Sequence, residues 1–418
     1  MISSISKGAT MIEKLYKTGN DFIEKVTAVT EGRCNRCLSS NIYRDEHGNY
    51  SCLDCYKYGE INDKMVIYRY SRKVNNINHR VDLDYKLTKQ QVLGSKFLLN
   101  CYESKQSAFL QAVCGAGKTE MTYQVILAAL RENKKVCFIL PRIEVLKEVS
   151  KRFIKCFPKT NISVLFEGHK NFQDANLLFS TPQQLICFFR EFNLLILDEV
   201  DAFPYAKNPF LKRLVEKSLK RNGVILYMSA TVSGDFKEMI DNKTIKYLSV
   251  PSRYHRKSLI VPVFKRLKKA KNYFKPLLIF LNTNIEKQRQ TLIFVPSIKL
   301  GNELKTRLKE IDIDCNFISS KSIDKNRIIK EFRNIDYLFL ISTTVLERGV
   351  TFADIDCVVL YADHKVFSKE TLIQISGRVG RKLEYSQGNV IFYSEYVSSN
   401  MKRSKSEIQL MNKRNSEL

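Results

Sequence analysis

The sequence predicts an α/β protein of two tandem lobes, each built on a parallel sheet, behind a small amino-terminal four-cysteine ribbon. Three observations carry this. From about residue 88 to 248 short apolar runs alternate with stretches of helical spacing; the same style resumes near 290; and two Cys-x-x-Cys pairs precede both. In the first stretch the runs Ala108–Val113, Val136–Leu140, Leu194–Leu197 and Val224–Met228 read as buried strands, and Phe210, Leu214 and Leu219 as a helix stripe. In the second, Thr291–Val295, Tyr337–Ile341, Cys357–Tyr361 and Asn389–Tyr393 read as strands, with Ile298, Leu300, Leu304 and Leu308 as the stripe of an intervening helix.

The expected order is an amino-terminal arm (1–30), the cysteine ribbon (31–60), a linker (61–87), a first lobe (88–248), a basic inter-lobe segment (249–288), a second lobe (289–398) and a solvated polar tail (399–418). The arm has weak helical spacing, consistent with a short helix or disorder. In the linker, Met65–Tyr70 shows short β-like alternation.

The chain of 418 residues can bury two cores, and 44% apolar with 27% charged residues is ordinary for a globular protein. Its charge is not ordinary: 69 Lys and Arg against 43 Asp and Glu leave +26. Such a surplus points to a polyanionic partner, nucleic acid first and an anionic membrane surface second. No apolar run approaches the roughly 18 residues of a spanning helix, and the amino terminus has no signal-peptide pattern. A cytoplasmic location is expected, with peripheral membrane association left open. Of eleven cysteines, seven are scattered singly, so no disulfide framework is expected.

Cys34, Cys37, Cys52 and Cys55 form two Cys-x-x-Cys knuckles separated by fourteen residues, with His47–Asn49 as a turn between them. Each knuckle can present two thiolates to one tetrahedral centre, the pattern of a structural Zn²⁺ site with no open position for catalysis.

Ala112–Thr119 reads AVCGAGKT, after a strand and before the helix-forming stretch Glu120–Arg131. Around Gly115, Ala116 and Gly117 the backbone can turn tightly and aim N–H groups at phosphate oxygens. Lys118 is then expected to reach the β- and γ-phosphates of ATP, and Thr119 to hold Mg²⁺. The strand Leu194–Leu197 runs into DEVD at 198–201, at the strand end where parallel sheets bind ligands. Asp198 is the expected Mg²⁺ contact and Glu199 the group that orients and deprotonates the attacking water. Asp201 is assigned to a link with Ser229–Thr231 or with QISGRVGR at 374–381. In the latter, Arg378 and Arg381 are three apart, expected on one helical face, where they can stabilise charge on the transferring phosphoryl group. Residues 251–275 carry nine Lys or Arg and no acid, with Tyr254, Phe264, Tyr273 and Phe274 interleaved. They are expected to track phosphates and stack bases.

AVCGAGKT, LDEVD, SAT, TTVLERGVT and QISGRVGR, in this order, resemble motifs I, II, III, V and VI of superfamily 2 helicase-type ATPases. The resemblance implies RecA-like lobes, ATP hydrolysis with Mg²⁺, and single-stranded DNA as partner. Within it, Leu87–Gln91 is similar to the element that reads adenine, with Gln91 in the reading position. Gly349 falls in the element that meets the nucleotide, and Thr351 stands where the common form has Asp. Pro141–Arg142, Thr181–Gln184 and Phe294–Ser297 fall where strand-contacting loops occur.

DEVDAFPY at 198–205, PSRYHRK at 251–257 and LERGVTF at 346–352, behind a four-cysteine zinc ribbon, narrow the resemblance to the ComFA family of competence ATPases, over roughly residues 30–395. That implies a motor at the inner face of the cytoplasmic membrane, importing single-stranded DNA in natural transformation. Its implied partners are the uptake channel and a phosphoribosyltransferase-like protein. Two rivals stand beside it: a PriA-like helicase of replication restart or repair, and a nonenzymatic zinc-containing DNA-binding protein.

Overall fold

The computed structural model describes residues 2–4, 21–71, 78–169, 175–267 and 273–417. The chain divides into two compact units, residues 1–111 with 118–248, and residues 112–117 with 249–418.

The first unit is organised by a sheet whose strand order, among the described residues, is Ile162–Leu165, Leu177–Ser180, Val136–Ile139, Phe192–Asp198, Leu219–Ser229, Ala108–Ala112 and Lys246–Val250. From Ile162–Leu165 to Ala108–Ala112 every neighbouring pair is parallel. Central parallel strands are covered on both faces, so they are written as unbroken apolar runs, and Leu194–Leu197 is buried throughout. Because the strands are parallel, the ends of Ala108–Ala112 and Phe192–Asp198 emerge at one edge. Lys118 and Asp198 are brought together there.

The second unit carries a six-stranded parallel sheet in the order Val263–Arg266, Val390–Ser394, Ile355–Leu360, Gln290–Phe294, Phe339–Ser342 and Cys315–Ile318. Its interior strands are buried throughout and largely apolar, with Gln290, Thr291, Ser342, Asp356 and Ser394 as their buried polar residues.

Four segments differ from their sequence-based description. Residues 1–30 are neither a helix nor a wholly disordered arm where described. Asp21–Thr27 pairs antiparallel with Val66–Ser71, which also pairs with Ile2–Ser4. The supposed linker therefore supplies the central strand of a three-stranded sheet, in line with the alternation at Met65–Tyr70. The inter-lobe segment is part of the second unit: Val263–Arg266 is an edge strand, and helix Phe274–Glu286 buries Leu277 and Leu281. Lys268, Lys269 and Lys271 of this segment lie outside the described residues.

The polar tail is a helix, Ser399–Ser416, capped by the Ser398 hydroxyl, which accepts from Met401 N–H at 3.3 Å. It buries Met401, Ser404, Ile408 and Met411, a narrow stripe diluted by the Lys, Ser and Asn of the other faces. Asn412 receives Leu259 N–H at 2.7 Å and donates to Leu259 O at 2.9 Å, and Lys369 pairs with Glu407 at 2.8 Å.

Ile408→Ala should therefore destabilise the second unit by about 2–4 kcal/mol, seen as an earlier unfolding transition. Lys413→Ala, on the exposed face, should shift it by less than about 0.5 kcal/mol. Equal, negligible shifts would return this segment to the status of a solvated tail.

Candidate nucleotide site and zinc centre

In the loop leading to Lys118, Gly115 and Gly117 take φ of 85° and 79°, the left-handed region that the sharp phosphate-loop turn needs. Lys118 and Thr119 open the short helix Lys118–Met121, and the chain continues as helix Tyr123–Arg131. Between the two, Thr122 donates its hydroxyl to Thr119 O at 2.7 Å.

Asp198 closes its strand as a buried carboxylate. Its Oδ1 accepts Glu199 N–H at 2.8 Å and lies 3.5 Å from Lys118 Nζ. Burial raises its carboxyl above the usual carboxylate range, and the Lys118 ammonium and the Glu199 amide oppose that shift. Glu199 adopts φ of 58°, so the chain reverses sharply after the strand. Asp201 Oδ2 accepts the Thr231 hydroxyl at 2.6 Å, and Thr231 N–H donates to Ser229 Oγ at 3.2 Å. Asp201 is thereby tied to the Ser-Ala-Thr element. Thr119 and Asp198 present a hydroxyl and a carboxylate, the hard oxygen donors that suit Mg²⁺.

In the second unit the helix expected to carry both arginines stops early. Helix Lys369–Ser376 ends at Gly377, and Arg378 and Arg381 lie in the turn beyond. They share no helical face, because Gly380 turns the chain with φ of 71°. Arg378 is buried and donates from Nε to Glu347 O at 3.0 Å. Arg381 donates to Gly377 O at 3.1 Å and to the Thr351 hydroxyl at 3.1 Å. Thr351, the departure from the usual Asp, thus serves as the neutral acceptor for Arg381. Gly349 nearby in sequence has φ of 81°.

Arg253 is the residue that sequence reasoning under-reads. Its place in a basic segment suggests a solvent-facing side chain, yet it is 2% exposed. Its guanidinium donates to Cys114 O at 3.2 Å, to Gly377 O at 3.4 Å and, in a short bond, to Gly380 O. Tyr254 N–H donates to Gly115 O at 3.2 Å, and His255 Nε2 bonds Gly380 O at 3.1 Å. Burial lowers the Arg253 guanidinium to about 10, which leaves it charged at neutral pH. The only sequence signal is the distinctive string PSRYHRK, which carries no sign of burial. The base-stacking surface is also largely withdrawn. Phe264 stacks on Phe392 at 5.9 Å, Tyr273 is buried, and Arg307 lies 3.9 Å over Phe274, while Tyr254 remains exposed.

Gln91 caps the helix Lys89–Glu103. Its side-chain oxygen accepts Thr88 N–H at 2.9 Å while Thr88 Oγ1 accepts Gln91 N–H at 3.3 Å. This capping box gives Gln91 a structural role beside the expected reading of adenine.

The four thiols Cys34, Cys37, Cys52 and Cys55 are buried and lie within 4.8 Å of one another. The pairs Cys34–Cys55 and Cys37–Cys52 are 3.9 and 3.6 Å apart. A tetrahedron with Zn–S bonds of about 2.3 Å has edges of about 3.8 Å, so these two separations are compatible with Zn²⁺. Arg36 donates to Cys55 Sγ at 3.4 Å, a hydrogen bond that supports a thiolate. The intervening hairpin pairs Ile42–Arg44 with Tyr50–Cys52 around His47, which is not a fifth ligand. None of the eleven cysteines is paired in a disulfide.

Residues 74–234 match the family described as type III restriction enzyme, res subunit, and residues 270–382 the helicase conserved C-terminal domain. The competence protein ComFA of Streptococcus pneumoniae (strain ATCC BAA-255 / R6) is 35% identical over 96% of this chain and 96% of its own length. The chain belongs to the ComFA family. ComFA of Bacillus subtilis (strain 168) is 30% identical over 98% of this chain and 92% of that protein. Among solved structures, Saccharomyces cerevisiae Dbp5 bound to RNA and ADP BeF3 aligns with a TM-score of 0.56 at 19% identity, covering 78% of this chain and 92% of that one, a likeness of fold. With these matches the chain is a competence helicase-like ATPase, an ATP-hydrolysing enzyme of helicase superfamily 2 with two RecA-like lobes. Among its described residues no helix is long and apolar enough to cross a membrane.

In this ComFA-family member the zinc module packs on the first unit. Tyr58 stacks on Phe210 at 5.1 Å, Arg69 lies 3.6 Å over Phe189, and Arg213 pairs with Asp54. Asp54 also accepts from Ser39 at 2.7 Å and Asn41 at 2.9 Å. Burial opposes its ionisation, but these partners outweigh burial and hold its carboxyl below the usual range.

Two outcomes are expected. Arg253→Lys retains a charge but cannot bond three carbonyls at once, so ATP turnover should fall by about tenfold or more with a loss of about 1–3 kcal/mol in stability. Unchanged turnover would reduce Arg253 to a packing residue. Cys52→Ala should abolish the one equivalent of zinc measured by elemental analysis and unfold the module, since metal binding supplies its folding energy. Full zinc retention would refute the four-thiolate assignment.

Proposed function

We propose that this chain is an ATP-driven single-stranded DNA translocase that powers DNA uptake across the cytoplasmic membrane in natural transformation. Near-full-length kinship with two proteins named competence protein ComFA carries this reading. The pairing of Lys118 with the buried Asp198 supports its chemistry. On this reading Gly115, Ala116, Gly117 and Lys118 cradle the ATP phosphates, and Thr119 and Asp198 hold Mg²⁺. Glu199 orients the attacking water, and Gln91 and Gly349 meet the nucleoside. Arg378 and Arg381 supply positive charge to the transferring phosphoryl group. Zn²⁺ holds the amino-terminal module through Cys34, Cys37, Cys52 and Cys55.

The surplus of +26 supports a nucleic-acid partner. The uptake channel and a phosphoribosyltransferase-like protein are the proposed protein partners, met at the inner face of the membrane. Pro141–Arg142, Thr181–Gln184 and Phe294–Ser297 each lie at or just beyond the carboxyl end of a parallel strand, where ligand-contacting loops gather.

The test is ATP hydrolysis by the zinc-loaded protein with no nucleic acid, with single-stranded DNA and with blunt duplex. Stimulation by single strands well above duplex, with a loss of about 100-fold or more in Lys118→Ala, is the expected result. Equal stimulation by duplex would favour a PriA-like repair helicase. Absence of hydrolysis throughout would leave a zinc-containing DNA-binding protein.

A further inference from the structure

The amino-terminal edge of the first unit's sheet, opposite the edge where Asp198 ends its strand, carries a second concentration of charge. A cavity of about 440 Å³ there is lined by Lys105, Lys134, Arg190, Lys220 and Arg221, and no carboxylate lines it. The topology explains the cluster. Lys105 precedes strand Ala108–Ala112, Lys134 precedes Val136–Ile139, Arg190 precedes Phe192–Asp198, and Lys220 and Arg221 open Leu219–Ser229. Parallel strands bring all four starts to one edge.

Two acids adjacent in sequence to its lining are engaged: Glu132 accepts the Tyr102 hydroxyl at 3.1 Å, and Glu191 pairs with the buried Lys135 at 2.8 Å. Lys105, Arg190 and Arg221 are exposed, and Lys134 and Lys220 half-buried. Arg190 also lines a second cavity of about 530 Å³ that reaches the zinc module at Arg33 and Asn35. In that cavity Arg69 and Arg213 are paired with Glu24 and Asp54, Arg33 and Arg190 are exposed, and the exposed Glu216 is the one carboxylate of the lining, outnumbered by its cations. Phe189 lies beneath two guanidinium groups, Arg69 at 3.6 Å and Arg190 at 5.0 Å, and Tyr102 is buried. Neither ring is free to stack on a base.

We propose that these two joined cavities form an auxiliary track for the phosphate backbone of a nucleic-acid strand, independent of base sequence and separate from the ATP edge of the sheet. Five cations in one concavity exceed what a single small anion would neutralise, and their continuation through Arg190 matches a chain of repeated charges. A bilayer presents a broad surface that cannot enter a concavity, and the lining offers no exposed apolar side chain to insert. The track would retain a strand beside the zinc module while the motor loops release and rebind it. This inference rests on the nucleic-acid-binding reading above.

The test compares the full-length zinc-loaded protein with Lys220→Glu/Arg221→Glu and with the milder Lys220→Gln/Arg221→Gln. Binding is measured by fluorescence anisotropy to oligothymidylates of about 10 and about 60 nucleotides, the shorter being within the span of one binding groove. Affinity for the long strand should fall by about three- to tenfold, and its log–log salt slope should become shallower by ~0.7 for each phosphate that the variant no longer neutralises. Short-strand affinity and basal ATP hydrolysis should stay unchanged. An unchanged long-strand affinity and slope would overturn the track. So would a loss confined to vesicles of phosphatidylglycerol, which would reassign the patch to a membrane. If the unaltered protein binds neither oligonucleotide, the translocase reading falls as well.

Discussion

A carboxylate withdrawn from water must be compensated, and the active edge of the first unit is arranged around meeting that requirement at Asp198. Its compensation comes from the Lys118 ammonium at 3.5 Å and the Glu199 amide at 2.8 Å. Desolvation disfavours the charged form, and the two partners offset that penalty without cancelling it. The pairing requires that the phosphate loop and the DEVD strand end at the same edge, which parallel strand order ensures. It also requires the left-handed turn at Glu199, because that turn returns the amide to its own strand end. Asp201 then faces Thr231, so the acidic strand end and the Ser-Ala-Thr element are mechanically joined.

Arginine is used repeatedly in this chain as a tie for backbone that has no ladder of its own. Arg253 gathers three carbonyls from two loops, Arg378 takes Glu347 O, and Arg36 takes the carbonyls of Cys55 and Gly59 alongside the Cys55 sulfur. A planar fork with five donors can satisfy several carbonyls at once, which an ammonium on a flexible stem does poorly. Part of the large positive surplus is therefore structural. Only part of it is available to a polyanion. The zinc module is constrained by its size: some thirty residues bury too little apolar surface to fold alone, so four thiols and contact with Phe189 and Phe210 complete it.

The sequence by itself determined the two-lobe α/β class, the glycine loop before Lys118, the acidic strand end and the four-cysteine cluster. Each of these is written locally, as an unbroken apolar run, a glycine turn before Lys118, or thiols two residues apart, and local chemistry needs no partner to be read. Tertiary structure alone decided the rest. Ser399–Ser416 became a docked helix because Met401, Ile408 and Met411 find a surface that composition cannot show. Arg378 and Arg381 left their expected helical face because Gly377 and Gly380 end the helix in favour of bonds to Glu347, Thr351 and Gly377. Arg253 moved from a basic surface to the interior because distant carbonyls converge on it. For Arg253, Arg378 and the carboxyl-terminal helix the deciding partners lie far along the chain, and burial is a property of the folded neighbourhood that a single residue does not carry.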